Sequence, residues 1–204
     1  FMCSLLFDFD GTLFDTDAGH EAAYLKTFDA FNLGECPSYE TLKGIKTIDV
    51  FARYQGVFSD TPTLAQYKSQ TYQANLAEVK TLVDLTLLQQ LSDRGFSLYI
   101  VTGGSRKSID ALLDLHQAHH LFKGVVTAED YGASKPDPEP FLHCIRTFDI
   151  QGEVQGIEDS IQGIQSLKAA HIRAVGVHNP AIESLSDVFY PSINTYLTEL
   201  IQVQ

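Results

Sequence analysis

Apolar and polar residues along the chain follow two different periods. Short apolar runs predict five buried strands, at residues 4–8, 97–102, 124–127, 154–158 and 172–177. Between the later runs, apolar residues recur every three or four positions, which predicts helices at residues 105–116, 138–147 and 161–170. Strands that alternate with helices form a parallel sheet with helices on its faces. The pattern therefore predicts an α/β fold with a doubly wound, Rossmann-like parallel-sheet core.

The first two predicted strands lie much farther apart than a single crossover helix requires. Apolar residues at helical spacing predict helices in this interval at residues 18–31, 48–54, 64–78 and 85–94. We expect the first three to form a helical bundle over the carboxyl edge of the sheet. The predicted catalytic core is then residues 1–16 and 84–204, and the predicted cap is residues 17–83.

A pair of acids follows the first predicted strand. Asp8 and Asp10 are two residues apart, so their side chains point the same way in an extended chain. Parallel sheets bind ligands at the carboxyl ends of their strands, and adjacent carboxylates there need a cation or a shared proton. The pair indicates magnesium, with one carboxylate as nucleophile and metal ligand and its neighbour exchanging a proton. An isolated Asp-x-Asp is also typical of a polar turn.

Polar residues also follow the second predicted strand and stand in a later loop. Thr102 and Gly103 precede a predicted helix, where glycines and a helix amino terminus favour phosphate binding; an ordinary strand-to-helix turn is the alternative. Lys135 stands before Pro136, which favours an extended conformation for the lysine. A lysine held in this way can neutralise a carboxylate and a phosphoryl oxygen.

The fourth polar cluster is Glu158-Asp159, at the end of another predicted strand. Magnesium prefers oxygen ligands in octahedral geometry, so Asp159 can join Asp8 and the main-chain carbonyl of Asp10. Glu158 can bind the metal directly or through water. Each cluster is a weak signal alone, but all four are expected at one edge of one sheet.

Composition limits the partners and the compartment. A formal net charge of -12 disfavours nucleic acid and anionic membranes. The three cysteines, Cys3, Cys36 and Cys144, are widely spaced and form no disulfide or zinc pattern, which favours a reducing compartment. The apolar start is too short to span a membrane. We expect a soluble, cytoplasmic protein that is a monomer or a weak dimer.

The polar clusters together resemble the four motifs of the haloacid dehalogenase superfamily, over nearly the whole chain. The matching residues are Asp8-Phe9-Asp10-Gly11-Thr12, Thr102, Lys135 and Glu158-Asp159. The helical insert resembles the subgroup that contains phosphoglycolate phosphatase, beta-phosphoglucomutase and sugar-phosphate phosphatases.

The resemblance implies a role for each matching residue. Asp8 attacks the phosphoryl group and forms an aspartyl-phosphate, while Asp10 protonates the leaving oxygen and later activates water. Thr102 and the following amide hold phosphoryl oxygens, Lys135 orients Asp8 and the phosphoryl group, and Asp159 binds Mg²⁺. Family members that cleave carbon–halogen or phosphonate bonds lack an acid matching Asp10, so this residue favours phosphate esters.

The predicted cap carries candidate substrate-binding residues. Residues 41–47 resemble the substrate-facing loop of beta-phosphoglucomutase, but Thr47 stands where the mutase has an arginine for the distal phosphate. Lys43 and Lys46 can supply positive charge there or can form a solvated helix end. His20 matches a histidine frequent in the subgroup and can contact substrate, although a structural role is also open.

A histidine triplet is a second possible metal site. His116, His119 and His120 stand at a predicted helix end, which indicates a solvent-facing terminus instead. The favoured function is a magnesium-dependent phosphatase for a small phosphorylated metabolite. The alternatives are a phosphosugar mutase and a non-catalytic protein that binds phosphorylated ligands.

Overall fold

A computed structural model describes residues 2–203 and has a six-stranded parallel sheet at its centre. The strands are β1 (Cys3–Phe7), β2 (Ser97–Val101), β3 (Gly124–Val126), β4 (Glu153–Glu158), β5 (Arg173–Val177) and β6 (Val188–Tyr190). Their order across the sheet is β3-β2-β1-β4-β5-β6. The helices are α1 (Asp17–Ala30), α2 (Thr47–Ala52), α3 (Thr61–Gln73), α4 (Leu85–Asp93), α5 (Arg106–Leu115), α6 (Glu139–Thr147), α7 (Ile161–Ala169) and α8 (Ile193–Gln202).

Hydrophobic clusters cover both faces of the sheet. Leu5 and Phe7 of β1 pack into one cluster, and Leu6, which points the opposite way, packs into the other. Residues of α4, α5 and α8 complete the first cluster, and residues of α6 and α7 complete the second. The predicted doubly wound α/β fold is confirmed. Within residues 2–203, no helix combines the length and apolar content needed to cross a bilayer.

Strand β6 and helix α8, which follow the fifth strand, were not predicted from the sequence. Strand β6 has only three residues, all half-buried, so its apolar signal is short. Helix α8 has a clear apolar stripe, with Ile193, Tyr196 and Leu197 buried against the first cluster. The helical spacing of these residues was therefore an available signal.

Helices α1, α2 and α3 pack around a third hydrophobic cluster that includes Tyr24, Phe51 and Leu64. Helix α3 differs from the prediction of one helix over residues 64–78. It begins earlier because the Asp60 carboxylate caps it by accepting a hydrogen bond from the Thr63 amide. It ends at Gln73, and the chain then turns so that Leu76 packs into the cluster beneath the sheet.

The two ends of the helical segment lie side by side. Phe14 and Thr81 form an antiparallel bridge, and the Leu82 amide donates to the Leu13 carbonyl at 2.8 Å. The Asp15 amide donates to the Lys80 carbonyl at 2.9 Å. These bonds place the entry and exit of the helical segment next to β1, and therefore next to the acids that follow this strand.

Close packing between β4 and α7 requires a glycine at position 156. A Cβ atom there would overlap the side chain of Leu167, which is fully buried. We expect Gly156→Ala to lower the free energy of unfolding by about 1–3 kcal/mol, because the core must shift to admit the methyl group. Urea denaturation followed by circular dichroism measures this loss. Gly56→Ala is the control, since a Cβ atom at Gly56 meets no atom within 4 Å, and an equal loss in both variants would contradict the packing argument.

Candidate active site

Three adjacent strands deliver polar residues to one edge of the sheet. Asp8 directly follows β1, Thr102 follows β2, and Glu158 ends β4 with Asp159 next in the chain. Because β1 lies between β2 and β4, these residues meet at the carboxyl edge. All four are buried, and Asp8 is 4% exposed. The structure therefore brings the residues of three sequence motifs together.

Lys135 joins this group from the loop between β3 and α6. Its Nζ donates to Asp8 Oδ1 at 3.0 Å, to Glu158 Oε2 at 2.6 Å and to the Val101 carbonyl at 2.9 Å. Burial opposes the charged form of the lysine, but the Asp8 and Glu158 carboxylates hold the Lys135 pKa well above its usual range. Burial and the charge of Asp8 raise the pKa of Glu158 to about 8. Lys135 is thus a fixed positive charge beside Asp8.

Asp8, Glu158 and Asp159 form a carboxylate cluster. One oxygen from each lies within 4.8 Å of the others, and all three side chains are buried. Burial, together with the charges of Asp8 and Glu158, holds the Asp159 pKa well above its usual range. Three hard oxygen donors at one buried point are the ligands that Mg²⁺ prefers, so the cluster fits this ion. In residues 2–203, no other group of three acids, histidines or cysteines has such spacing.

Gly11 leaves the space in which the carboxylate cluster meets the helical segment. Its φ angle is +77°, and a Cβ atom there would overlap Asp159 Oδ2 and lie 2.9 Å from Lys43 Nζ. Thr12, the next residue, donates from Oγ1 to Asp159 Oδ1 at 3.0 Å. Gly11 is therefore required for the backbone conformation and the space at this position, and Thr12 provides a hydrogen bond to Asp159.

Asp10 is surrounded by residues of the helical segment. Its Oδ1 accepts hydrogen bonds from Thr16 Oγ1 at 2.7 Å and from His20 Nε2 at 2.8 Å. Lys68 Nζ lies 2.7 Å from His20 Nδ1. Because an ammonium can only donate, Nδ1 accepts and the histidine proton is on Nε2. The side chains thus form a chain from Lys68 through His20 to Asp10.

The electrostatics of this chain favour an ionised Asp10. Burial alone would raise the Asp10 pKa, but the hydrogen bonds from His20 and Thr16, together with the nearby charge of Lys68, hold it below its usual range. Burial and the nearby Lys68 lower the pKa of His20, which agrees with a neutral imidazole. Burial also lowers the pKa of Lys68 to about 8.

Thr16 and Lys68 are site residues that the sequence analysis missed. Lys68 is only 3% exposed and stands four residues from Leu64 and from Tyr72, which are both buried. A lysine in the apolar stripe of a helix was thus the available signal, since lysines usually face solvent. Thr16 precedes α1 and is fully buried, but its residue type is common before helices.

The loop after β2 lies against Gly44 and Ile45 of the helical segment. Thr102 Oγ1 is 3.4 Å from Asp10 Oδ2 and accepts from the Gly104 amide at 3.0 Å. A Cβ atom on Gly103 would come within 3.0 Å of the Gly44 carbonyl oxygen. Gly103 therefore permits the close approach of the Gly44 backbone to the loop after β2.

The two predicted cap lysines make different contacts. Lys43 Nζ donates to Asp17 Oδ2 at 2.7 Å and also bonds Asp159, so it reaches the carboxylate cluster. Lys46 Nζ bonds the carbonyl oxygen of Tyr131 and lies 4.3 Å from the centre of its ring. Both lysines are buried. Lys43 adds a second positive charge to the carboxylate cluster, whereas the bonded partner of Lys46 lies outside that cluster.

The three histidines of the predicted helix end have separate contacts, and within residues 2–203 they belong to no group with metal-binding spacing. His119 Nε2 lies 3.1 Å from Asp114, and both side chains are exposed to solvent. His120 contacts Gln89, and the ring of His116 packs edge-on against Phe14. These contacts agree with a helix terminus at the surface.

Two cavities meet at Asp10. The small cavity, about 40 Å³, is lined by Asp8, Asp10 and Lys43 among others. The large cavity, about 300 Å³, extends from Asp10 between α3 and the amino terminus of α5. Asp10, His20, Thr47, Lys68 and the two glycines after Thr102 line both cavities. A ligand can therefore place one group beside Asp8 and the remainder in the large cavity.

This arrangement, with acids and a lysine at the carboxyl edge of a parallel sheet and a helical insert above, defines an α/β protein with a buried, carboxylate-centred site. The model of the family described as haloacid dehalogenase-like hydrolase matches residues 5–177. The chain belongs to this family, and the resemblance inferred from the motifs is confirmed. It is therefore an enzyme of a hydrolase family.

Relatives in sequence and structure agree with this assignment. Pyrophosphatase PpaX of Bacillus velezensis is 28% identical over 189 residues, with 85% of this chain and 82% of the relative covered. Fructose-1-phosphate phosphatase YqaB of Escherichia coli is 27% identical over 179 residues, with 85% and 95% covered. The crystal structure of beta-phosphoglucomutase from Clostridium difficile superposes with a TM-score of 0.81 at 22% identity, covering 98% of this chain and 97% of the other. This last likeness shows the shared fold.

Lys135 is expected to be essential for stability because it neutralises two buried carboxylates. At about pH 9, Lys135→Met should lower the free energy of unfolding by about 3–5 kcal/mol, since Asp8 and Glu158 lose their buried counter-charge. The loss should be smaller at about pH 6, because Glu158, with its pKa raised to about 8, is protonated there and needs no counter-charge.

Urea denaturation in EDTA at the two pH values measures both effects. Lys123→Met is the control, because Lys123 is exposed and donates only to Ser97 Oγ, at 2.7 Å, and to no carboxylate. A loss that is equal at both pH values would contradict the proposed neutralisation of Glu158.

Proposed function

We propose that this protein is a magnesium-dependent phosphatase that hydrolyses a small phosphorylated metabolite through an aspartyl-phosphate on Asp8. The observation that carries the proposal is the position of Asp8 on the wall of the small cavity, with Lys135 bonded to it and an Asp159 oxygen within 4.8 Å. A carboxylate there faces a space of about 40 Å³, with the positive charges of Lys135 and Lys43 close by. Such a site suits a phosphoryl group, whose transfer requires positioning and charge compensation.

The first step is attack by the Asp8 carboxylate on phosphorus, with departure of the alcohol oxygen. Lys135 holds Asp8 in place through its 3.0 Å bond. The leaving oxygen then lies toward Asp10, which lines both cavities. The negative charge of an entering phosphate raises the proton affinity of Asp10, so that its carboxylate takes up a proton from solvent and then delivers it to the departing oxygen.

The second step is hydrolysis of the aspartyl-phosphate. Asp10, ionised after proton transfer, accepts a proton from water, and its depressed pKa is compatible with a return to the carboxylate after the product leaves. Thr16 and His20 hold the Asp10 carboxylate in place through both steps. Thr102 and the amide of Gly103 are the proposed contacts for phosphoryl oxygens.

Asp8, Asp159 and Glu158, with the Asp10 main-chain carbonyl, are the residues proposed to hold Mg²⁺. When bound, the ion would supply positive charge to the phosphoryl oxygens. Glu158 is bonded to Lys135 at 2.6 Å, which favours a contact through water for this residue. We also propose that residues 17–83 work as a cap, because Lys43 and Lys68 of this segment reach Asp159 and His20.

Loss of Asp8 or of the metal should abolish turnover. We expect Asp8→Asn to lower phosphate release from p-nitrophenyl phosphate by about a thousandfold or more, because an amide cannot act as the nucleophile. EDTA should have a similar effect that added Mg²⁺ reverses. Asp15→Asn is the control, since Asp15 is exposed and lines neither cavity. Full activity in Asp8→Asn would exclude the aspartyl-phosphate.

Asp10 should affect turnover more than metal binding. We expect Asp10→Ala to slow phosphate release by roughly a hundredfold or more, because the leaving group loses its acid. Its main-chain carbonyl remains, so the affinity for Mg²⁺ measured by calorimetry should stay nearly unchanged. An unchanged rate would remove the acid–base role, and a lost affinity would place the Asp10 side chain in the metal site.

A further inference from the structure

Helix α2 begins without a capping side chain of its own. It has six residues, and the residue before it, Lys46, makes no capping bond because a lysine side chain carries no acceptor. The first amides of a helix have no partner within the helix, so they need an acceptor from elsewhere. The later part of α2 is held by packing, since Val50 and Phe51 are buried in the third hydrophobic cluster. Only the amino end of α2 therefore depends on an outside group.

Ser134 of the core supplies this group. Its Oγ accepts a hydrogen bond from the Lys46 amide at 3.1 Å and donates one to the carboxylate of Asp49. In a capping box, the acid in the first turn accepts directly from the amide of the residue before the helix. Here the Ser134 hydroxyl stands between the two groups. The first turn of α2 is thus completed by a residue 85 positions from Asp49 in the chain.

The core loop that contains Ser134 is fixed to the carboxyl edge of the sheet. The next residue, Lys135, donates to Asp8 at 3.0 Å. The hydroxyl of Tyr131, which precedes Ser134 in the same loop, donates to the Thr102 carbonyl at 3.0 Å. The position of Ser134 is therefore set by the core and not by the helical segment.

The first turn of α2 forms part of the cavity walls. Thr47 lines both cavities, and Ile48 lines the large one. Because a core residue completes this turn, the turn is complete only when the helical segment is docked on the core. We propose that Ser134 is a positioning residue that joins this docking to the formation of the wall that faces the substrate. The inference rests on the proposed function, in which the helical segment is a cap.

Hydrogen exchange measured by mass spectrometry tests the structural part of this inference. Ser134→Ala should speed the exchange of residues 46–52 by about fivefold, because a hydrogen bond that includes a charged group is lost. Ser134→Thr keeps a hydroxyl and should restore the wild-type rate. Ser59→Ala is the control, since Ser59 is exposed, belongs to the same helical segment and lines neither cavity.

The kinetics of p-nitrophenyl phosphate hydrolysis with Mg²⁺ test the functional part. We expect Ser134→Ala to raise KM by about fivefold and to leave kcat within about twofold, because bound substrate favours the docked state that the free variant populates less. A disturbance of the neighbouring Lys135 would instead lower kcat, since Lys135 holds Asp8. Ser134→Thr should restore KM.

A double-mutant cycle tests the link to Asp49. Asp49→Ala removes the acceptor of the Ser134 hydroxyl and should also speed the exchange of residues 46–52. The double variant Ser134→Ala/Asp49→Ala should exchange no faster than the faster single variant, because both changes break the same pair of hydrogen bonds. Additive effects would overturn the link between the two residues.

The outcomes separate this inference from the phosphatase proposal. Unchanged exchange and KM in Ser134→Ala overturn the inference, and so does a Ser134→Thr variant that behaves like Ser134→Ala. Phosphate release that depends on Asp8 keeps the phosphatase function in either case. If Ser134→Ala does not fold, exchange in Asp49→Ala decides the role of the capping contact. If the wild-type protein releases no phosphate from any ester, the phosphatase proposal fails and the substrate-facing role fails with it.

Discussion

The structure depends on the burial of three carboxylates at one point. Asp8, Glu158 and Asp159 lie within 4.8 Å of one another, and such a cluster is strongly unfavourable without positive charge. Lys135 supplies that charge from the core, and Lys43 supplies it from the helical segment. The same interaction therefore neutralises the site and joins the helical segment to the sheet edge. Lys43 and Lys135, which are far apart in sequence, thus both meet the need for positive charge beside the buried carboxylates.

The helical segment also controls the second acid. Thr16 at the start of α1, His20 within it and Lys68 on α3 form the environment that keeps Asp10 ionised. A cap that only covered the site would need no such contacts. Here the orientation of Asp10 depends on the packing of α1 against α3, so changes in the position of these helices alter the chemistry as well as access.

The sequence predicted the core of this fold well because period and strand-end chemistry are local signals. Asp8, Thr102 and Asp159 each follow an apolar run, and only the rule that parallel strands share one carboxyl edge is needed to bring them together. Lys68 could not be placed in the same way, because its role comes from a contact 48 positions away in the chain. The partners of Lys46 likewise became visible only in the structure, since Tyr131 belongs to another loop. Helix α8 shows an omission of a different kind, because the spacing of Ile193, Tyr196 and Leu197 was visible in the sequence.

The distribution of charge in the protein determines where an anionic group of a substrate can bind. The molecule carries a net charge of -12, which repels anions at long range, so an anion must be bound by local charges. Lys135 and Lys43 concentrate positive charge at the small cavity. Under the proposed function, Lys135 and Lys43 therefore draw the phosphoryl group to the point where Asp8 can attack.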